Sequence, residues 1–453
     1  MRYKYVVSLI AGLSLLLSGA VSSADSDTDA EAFRDAFLAG NLSWDDVLAR
    51  AAEEGEVNWY YWGGSSPLNA WVDGPMRTAL KEHGIKLNAR HITNTRDAVD
   101  LALAESATGR GLGQGSVDTI WINGENFLTL GENDLLFGSF ADKVPSSVNF
   151  NWDANDPASG ANLYDFGYPT LAREIPWGSS QFLCAIDTSR LKPEDAPNTF
   201  AELETWVKAN PGRFTYVAPP QFTGNTFVHE AMYAHNPDGT GHEPFMNFPA
   251  TMTASEIARI TKPGMEYLKR IEPYLLGGNN PDYPKDPVSN KAMVANGEVD
   301  MLCRFGIGTT VTDVKNGELP PTMQNHIFPR GYLVQNKAFI TITGNAPHPA
   351  AALVLANLIG SVDLQVSWMQ AYGGVSGMDA SELSAADLAK VAEAFPDPMG
   401  VDPAEVSANT VPDANAGMVD VVETIWVAYI QQSDTERSFE QIVSDIYAVK
   451  FPE

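Results

Sequence analysis

The residues best suited to chemistry in this chain are aromatic, amide and glycine residues gathered where strands end and helices begin. They are Trp62, Gly63 and Gly64; Asn123, Glu125 and Asn126; Trp177 and Gln181; Phe222, Thr223 and Asn225; Phe305; and Asn345. This is binding chemistry rather than bond-breaking chemistry. Aromatic faces with one carboxylate, Glu125, suit a small organic cation, whose attraction to a desolvated ring is worth about 1 to 2 kcal/mol. The set contains no arginine or lysine, so an oxyanion would rest on N–H groups and amides alone. Stacked rings with amides suit a sugar as well. Each residue also has a plain structural role open to it: Trp62 and Trp177 can pack in the interior, Phe222 and Phe305 can belong to a core, and Asn123, Thr223 and Asn225 can cap helices.

Reactive constellations are missing. There is no Gly-x-Ser-x-Gly turn, no His-Glu-x-x-His helix and no cysteine beside an evident base, so no catalytic residue is assigned. Isolated carboxylates can still form a glycosidase site on any fold, which keeps a secreted carbohydrate-active enzyme as the alternative reading. Residues 109–115, Gly-Arg-Gly-Leu-Gly-Gln-Gly, look like a dinucleotide loop, but they follow a helix and open a strand, the reverse of the order such a loop requires. His235 and His242 bracket a turn without the further donors a metal needs, and Asp153, Asn155 and Asp156 lack calcium-loop spacing. No metal and no cofactor is called for.

The elements that must position the candidate residues alternate between strand and helix. Val57 to Trp62 reads as a strand leading through a Gly-rich turn into a helix from Leu68 to His83. A strand over Lys86 to His91 and a helix over Arg96 to Thr108 follow. Ser116 to Ile122 is apolar and β-branched enough to be buried on both faces, as in a parallel sheet, and it runs straight into Asn123-Gly124-Glu125-Asn126. The ends of parallel strands open into a crevice, so these polar residues stand at its mouth. Residues 138–172 read as a surface excursion, and Ile175 to Asp187 as an aromatic-glycine turn entering an apolar strand.

A second set follows: helix 197–210, strand 214–217, a helix through Tyr233, helices 255–274 and 291–296, and a strand ending at Phe305-Gly306. Gly331 to Ile342 is an extended apolar run that returns the chain. Helices at 350–360, 363–370, 378–395 and 416–449 form a last quarter with no strand rhythm of its own.

The 453 residues imply two to three domains, and a hydrophobic share of 44% is ordinary for a globular chain. Arg2 and Lys4 precede the apolar run Val6 to Val21, with Ser22-Ser23-Ala24 as small residues for cleavage. That is the grammar of a signal peptide over 1–24, cleaved near Ala24, followed by a loose segment over 25–42. A formal charge of −28 argues against nucleic acid and anionic lipid as partners. No later apolar run is long enough to enter a membrane as a span. An oxidising compartment permits a bridge between the only two cysteines, Cys184 and Cys303; two buried thiols fit the sequence equally well.

Several blocks together resemble one family: 58–64 with Asn69-Ala70-Trp71-Val72-Asp73, then 115–140, 176–182, 210–226 and 344–352. They are similar to the YnjB-type branch of the bacterial extracellular solute-binding proteins, periplasmic receptors of ABC importers. SVDTIWINGENF and NPGRFTYVAPPQFTG are the distinctive stretches. The resemblance implies the type II periplasmic-binding-protein fold: two α/β lobes, each a mainly parallel sheet flanked by helices, with a ligand cleft between them and hinge closure. The expected division is 43–180 for the first part of lobe 1, 181–335 for lobe 2, and 336–453 for the return to lobe 1 with the C-terminal helices. It also implies a periplasmic monomer that hands a small molecule to ABC permease subunits in the inner membrane. A sensory receptor sharing the fold is the competing role. Ligands across the class range widely, so the fold does not name one; the candidate chemistry points to a thiamine- or polyamine-like cation.

Overall fold

The computed structural model describes residues 29–156 and 159–452. The expected leader and its cleavage point at Ala24 lie outside the described residues. The segment expected to be loose is helical over 29–38, because Ala30 and Phe37 bury their side chains in the core. A helix over Trp44–Glu54 follows, opened by a Ser43–Asp46 capping box and closed by Gly55 in the left-handed region, φ 71°.

The strands in chain order are β1 (Glu56–Trp62), β2 (Lys86–Ile92), β3 (Thr119–Ile122), the two-residue pieces β4 (Tyr164–Asp165) and β5 (Tyr168–Pro169), and β6 (Glu174–Asp187). Then come β7 (Met301–Phe305), β8 (Met323–His326), β9 (Leu333–Ile342), β10 (Val375–Ser376) and β11 (Thr410–Pro412). β1 pairs in parallel with β2 and β3, as the βαβ rhythm requires. β3 is shorter than its apolar run, since pairing to β1 and β9 begins only at Thr119.

Two long antiparallel strands tie the molecule together. The first half of β6, Glu174 to Gln181, pairs with β9; its second half, Phe182 to Asp187, pairs antiparallel with β7 and β8. β9 in turn meets β3 through Phe339 to Ile342 and β11 through Leu333 to Gln335. Parallel pairing is therefore confined to β1 to β3 and the short β11–β9 contact, while β6 meets β7, β8 and β9 antiparallel. The Phe214 to Val217 segment is buried and extended but enters no ladder. β10 and β11 add short strands to a last quarter that reads as wholly helical in sequence; pieces of two and three residues are too short to show a period.

Separate cores hold the lobes. One gathers Val57, Trp59, Leu80 and the helix Pro349–Ile359, apolar except for Asn357. The other gathers Phe200, Phe227, Leu268 and Met301 together with Met418, Trp426 and Phe439. The helices Ala416–Trp426 and Phe439–Lys450 pack into this second core, and the first of them also meets the helix Gly124–Glu132. Cys184 and Cys303 face each other across the β6–β7 pair and are joined by a disulfide.

Candidate functional site

Strand ends from both lobes converge on one cleft of about 160 Å³. Trp62 at the end of β1, Trp121 and Asn123 at the end of β3, and Phe305 at the end of β7 all line it. The N-terminal turn of the helix Phe222–Ala234 brings Phe222 and Thr223 to it, capped by the Gln221 side chain, which accepts from the Thr223 N–H at 2.7 Å. The crossing strands supply the floor, through Gly178 to Ser180 of β6 and Asn336 and Ala338 of β9.

The sequence candidates divide by where they sit. Trp62, Gly64, Asn123, Asn126, Phe222, Thr223 and Phe305 line the cleft. The Phe222 and Phe305 rings stack, with centroids 5.3 Å apart, so they form one continuous apolar wall. Gly64 leaves room for the indole of Trp62: a Cβ there would sit 2.3 Å from its Cζ2. Gly63 does the same for His91, at 2.7 Å, and does not itself line the cleft. Asn123 caps nothing with its side chain; its Nδ2 donates to the Lys337 carbonyl of β9.

Four candidates stand away from this surface. Trp177 is 1% exposed and lies beneath the cleft, its ring 4.8 Å from Trp121 and 4.9 Å from Trp368, both of which line it. Asn345 is fully buried and donates to the Ala102 carbonyl at 3.1 Å, because the tight approach of Gly115 to its backbone closes that region. The Gln181 side chain does not reach the cleft; its carbonyl accepts from the Gly306 N–H at 3.0 Å, fixing the turn after Phe305. Asn225 lies one turn inside its helix and donates to Glu423 at 2.8 Å.

Glu125 lines a neighbouring cavity of about 330 Å³ that shares Asn94 and Asn126 with the first. Asp100, Asp420 and Glu423 are in its wall, against a single base, Arg96. Burial first, then repulsion from Glu423, holds the Glu125 carboxyl well above the ordinary range. Burial likewise pushes Glu423 up to about 7, although the Asn225 amide favours its charged form. Glu125 Oε2 and Asn126 Oδ1 in this wall, and Asn225 Oδ1 behind Glu423, are closed off from solvent without a hydrogen-bond partner among the described residues.

Two cations absent from the sequence-derived set also line the main cleft, Lys291 and Arg304. Arg304 Nη1 lies 2.6 Å from Asp313 Oδ2, and Lys291 Nζ lies 3.3 Å from the other oxygen of the same carboxylate. Lys291 also contacts Glu318, whereas Arg304 Nε and Nη2 have no partner. Arg304 carried a signal: a charge inside the apolar run Met301 to Phe305 is out of place unless it is used. Lys291, on the helix Pro287–Ala295, carried none, and neither did Trp368 and Tyr372, which a single helix delivers from far along the chain.

Comparison with known proteins agrees with this geometry. Residues 77–396 match the family described as bacterial extracellular solute-binding protein. Protein YnjB of Escherichia coli (strain K12) is 34% identical over 327 residues, which span 71% of this chain and 79% of that relative. Among solved structures, the periplasmic binding protein AfuA from Actinobacillus pleuropneumoniae, with fructose-6-phosphate bound, superposes with a TM-score of 0.57 at 13% identity, over 83% of this chain and 99% of its own. MotA from A. tumefaciens B6, in complex with glucopine, gives 0.54 at 14% identity, over 86% and 99%. At such identities the two structures share the fold alone.

Proposed function

This chain belongs to the bacterial extracellular solute-binding proteins, and from that premise we propose that its cleft captures a small organic solute bearing a cationic group, thiamine- or polyamine-like in size. The protein is the solute-binding component of an ABC import system. The cationic reading is supported by the unpaired acceptors at and around Glu125, in a cavity whose wall also carries Glu423, while Asp100 is paired with Arg96 and Asp420 with Lys450. A buried acceptor without a donor costs about 1 to 3 kcal/mol, and an ammonium group with three donors removes that cost. The rings of Trp62, Phe222 and Phe305 favour a second reading, a sugar stacked on an aromatic wall.

In this account the first lobe comprises 43–180 with the return through β9 to about residue 395, and the second comprises 181–335 with the final helices. β6 and β9 form the hinge. Solute bridging Trp62 and Asn123 on one wall to Phe222 and Phe305 on the other favours the closed arrangement, which the permease then receives. The mature chain begins after cleavage near Ala24, works as a periplasmic monomer and carries no catalytic group. Titration calorimetry against organic cations and neutral sugars tests the ligand class: heat with cations is expected, and heat with sugars alone contradicts it. Solute recovered unchanged after denaturation supports a receptor; turnover would identify an enzyme.

A further inference from the structure

The cleft and the cavity beside it are unsatisfied in opposite senses. At the Glu125 end the unpaired atoms are all acceptors, Glu125 Oε2, Asn126 Oδ1 and Asn225 Oδ1. At the Arg304 end two guanidinium nitrogens, Nε and Nη2, are unpaired donors. Asn94 and Asn126 line both spaces, so the two adjoin along one wall. Between the ends lie the rings of Trp62, Phe222 and Phe305. We propose that the solute is bipolar: a cationic end seats among Glu125, Asn126 and Glu423, an oxyanion end seats on Arg304, and an apolar body spans the aromatic wall.

The inference rests on the solute-binding reading of the same cleft and narrows it. A diamine would answer the acceptors at one end and leave unanswered at the other the free Nε and Nη2 donors of Arg304, whose Nη1 is held by Asp313. A dicarboxylate would do the reverse, meeting the carboxyl groups of Glu125 and Glu423 in the second cavity. A neutral sugar would leave Glu125 with no cation to bring out its charged form. Only opposite charges on one molecule match both ends, and a guanidinium's planar donors suit a carboxylate or a phosphate alike.

The test is calorimetry of the unmodified protein against ω-aminocarboxylates and ω-aminoalkyl phosphates of graded length, with length-matched diamines, dicarboxylates and glucose as controls. One bipolar length is expected to bind at least roughly 10-fold more tightly than its matched diamine and dicarboxylate. The carboxylate and phosphate arms show which oxyanion is taken. Arg304→Gln is expected to bring the bipolar compound down to the affinity of the diamine, and Glu125→Gln to bring it down to that of the dicarboxylate. Circular dichroism checks that each variant folds; if Arg304→Gln does not, the panel on the unmodified protein still decides. A diamine that binds as tightly as any bipolar compound overturns the proposal and leaves the cationic reading standing. Binding of glucose alone overturns both, and silence across every bipolar length overturns the proposal.

Discussion

Trp62 and Trp177 carry the same side chain and do different work. Trp62 is half-buried with its ring on the cleft, while Trp177 is enclosed by Trp59, Trp71, Trp121 and Trp368. Trp62→Ala is therefore expected to weaken solute binding by about 1 to 2 kcal/mol, roughly 10-fold, with little change in Tm, as read by calorimetry. Trp177→Ala leaves a large void and is expected to cost about 3 to 5 kcal/mol in denaturant unfolding. Affinity for a cation also has a pH signature. Glu423 titrates at about 7, and a bound ammonium favours its ionised form, so affinity rises as pH rises through that value and falls below it. Calorimetry on either side of neutrality checks the sign. At this scale strand ends are visible in hydrophobic pattern, which is how Trp62, Asn123 and Phe305 come to be candidates that line the cleft, whereas Trp177, Gln181 and Asn345 do not line it. The sequence did not show Lys291, Trp368 or Tyr372, whose place depends on which helix face docks on the sheet.

Pairing between elements explains both what was legible and what was not. β1 and the second half of β6 announce themselves by apolar runs, and β2 by its place after the helix-ending Gly84; all three form close to where the sequence puts them. The joining of Cys184 to Cys303 is a matter of register: residues 119 apart meet only because β7 runs antiparallel beside the second half of β6. Closing a loop of that length restricts the unfolded chain by about 4 to 5 kcal/mol, so the double substitution Cys184→Ser with Cys303→Ser is expected to lower unfolding free energy by about 2 to 5 kcal/mol. Equilibrium denaturation compares the two proteins. A subtler element is the turn after β1. Gly64→Ala is expected to displace the Trp62 indole, which a new Cβ would overlap. Weaker solute binding with nearly unchanged stability is the anticipated readout.

On the scale of the whole molecule, two cores joined by β6 and β9 leave carboxyl groups buried near the cleft. Burial raises Asp413 to about 7, as it does Glu423, whereas in the unfolded chain both revert towards about 4. The folded state then holds protons that the unfolded state has released, so the stability these two groups contribute is full below about pH 4 and is lost as pH rises through 7. Asp187 and Glu204 act in the opposite direction: both titrate at about 2, the first chiefly through the Ser189, Thr322 and Arg190 contacts that overcome its burial, the second through Arg270. Their contribution is present above about pH 4 and is lost below it. Asp413→Asn is expected to flatten the part of the pH dependence of Tm that falls between about pH 4 and 7, as read by scanning calorimetry against the parent protein, and an unchanged profile would contradict the linkage. The two-lobe arrangement was legible because its sequence blocks are shared with a family; the allegiance of the final helices was not, since an amphipathic helix does not say which core it covers. The account is tested most directly by a crystal structure of the protein with its retained or best-binding solute. Density bridging Trp62 and Asn123 to Phe222 and Phe305, with one end at Arg304, is the expected result; solute bound elsewhere, with that cleft filled only by water, would contradict it.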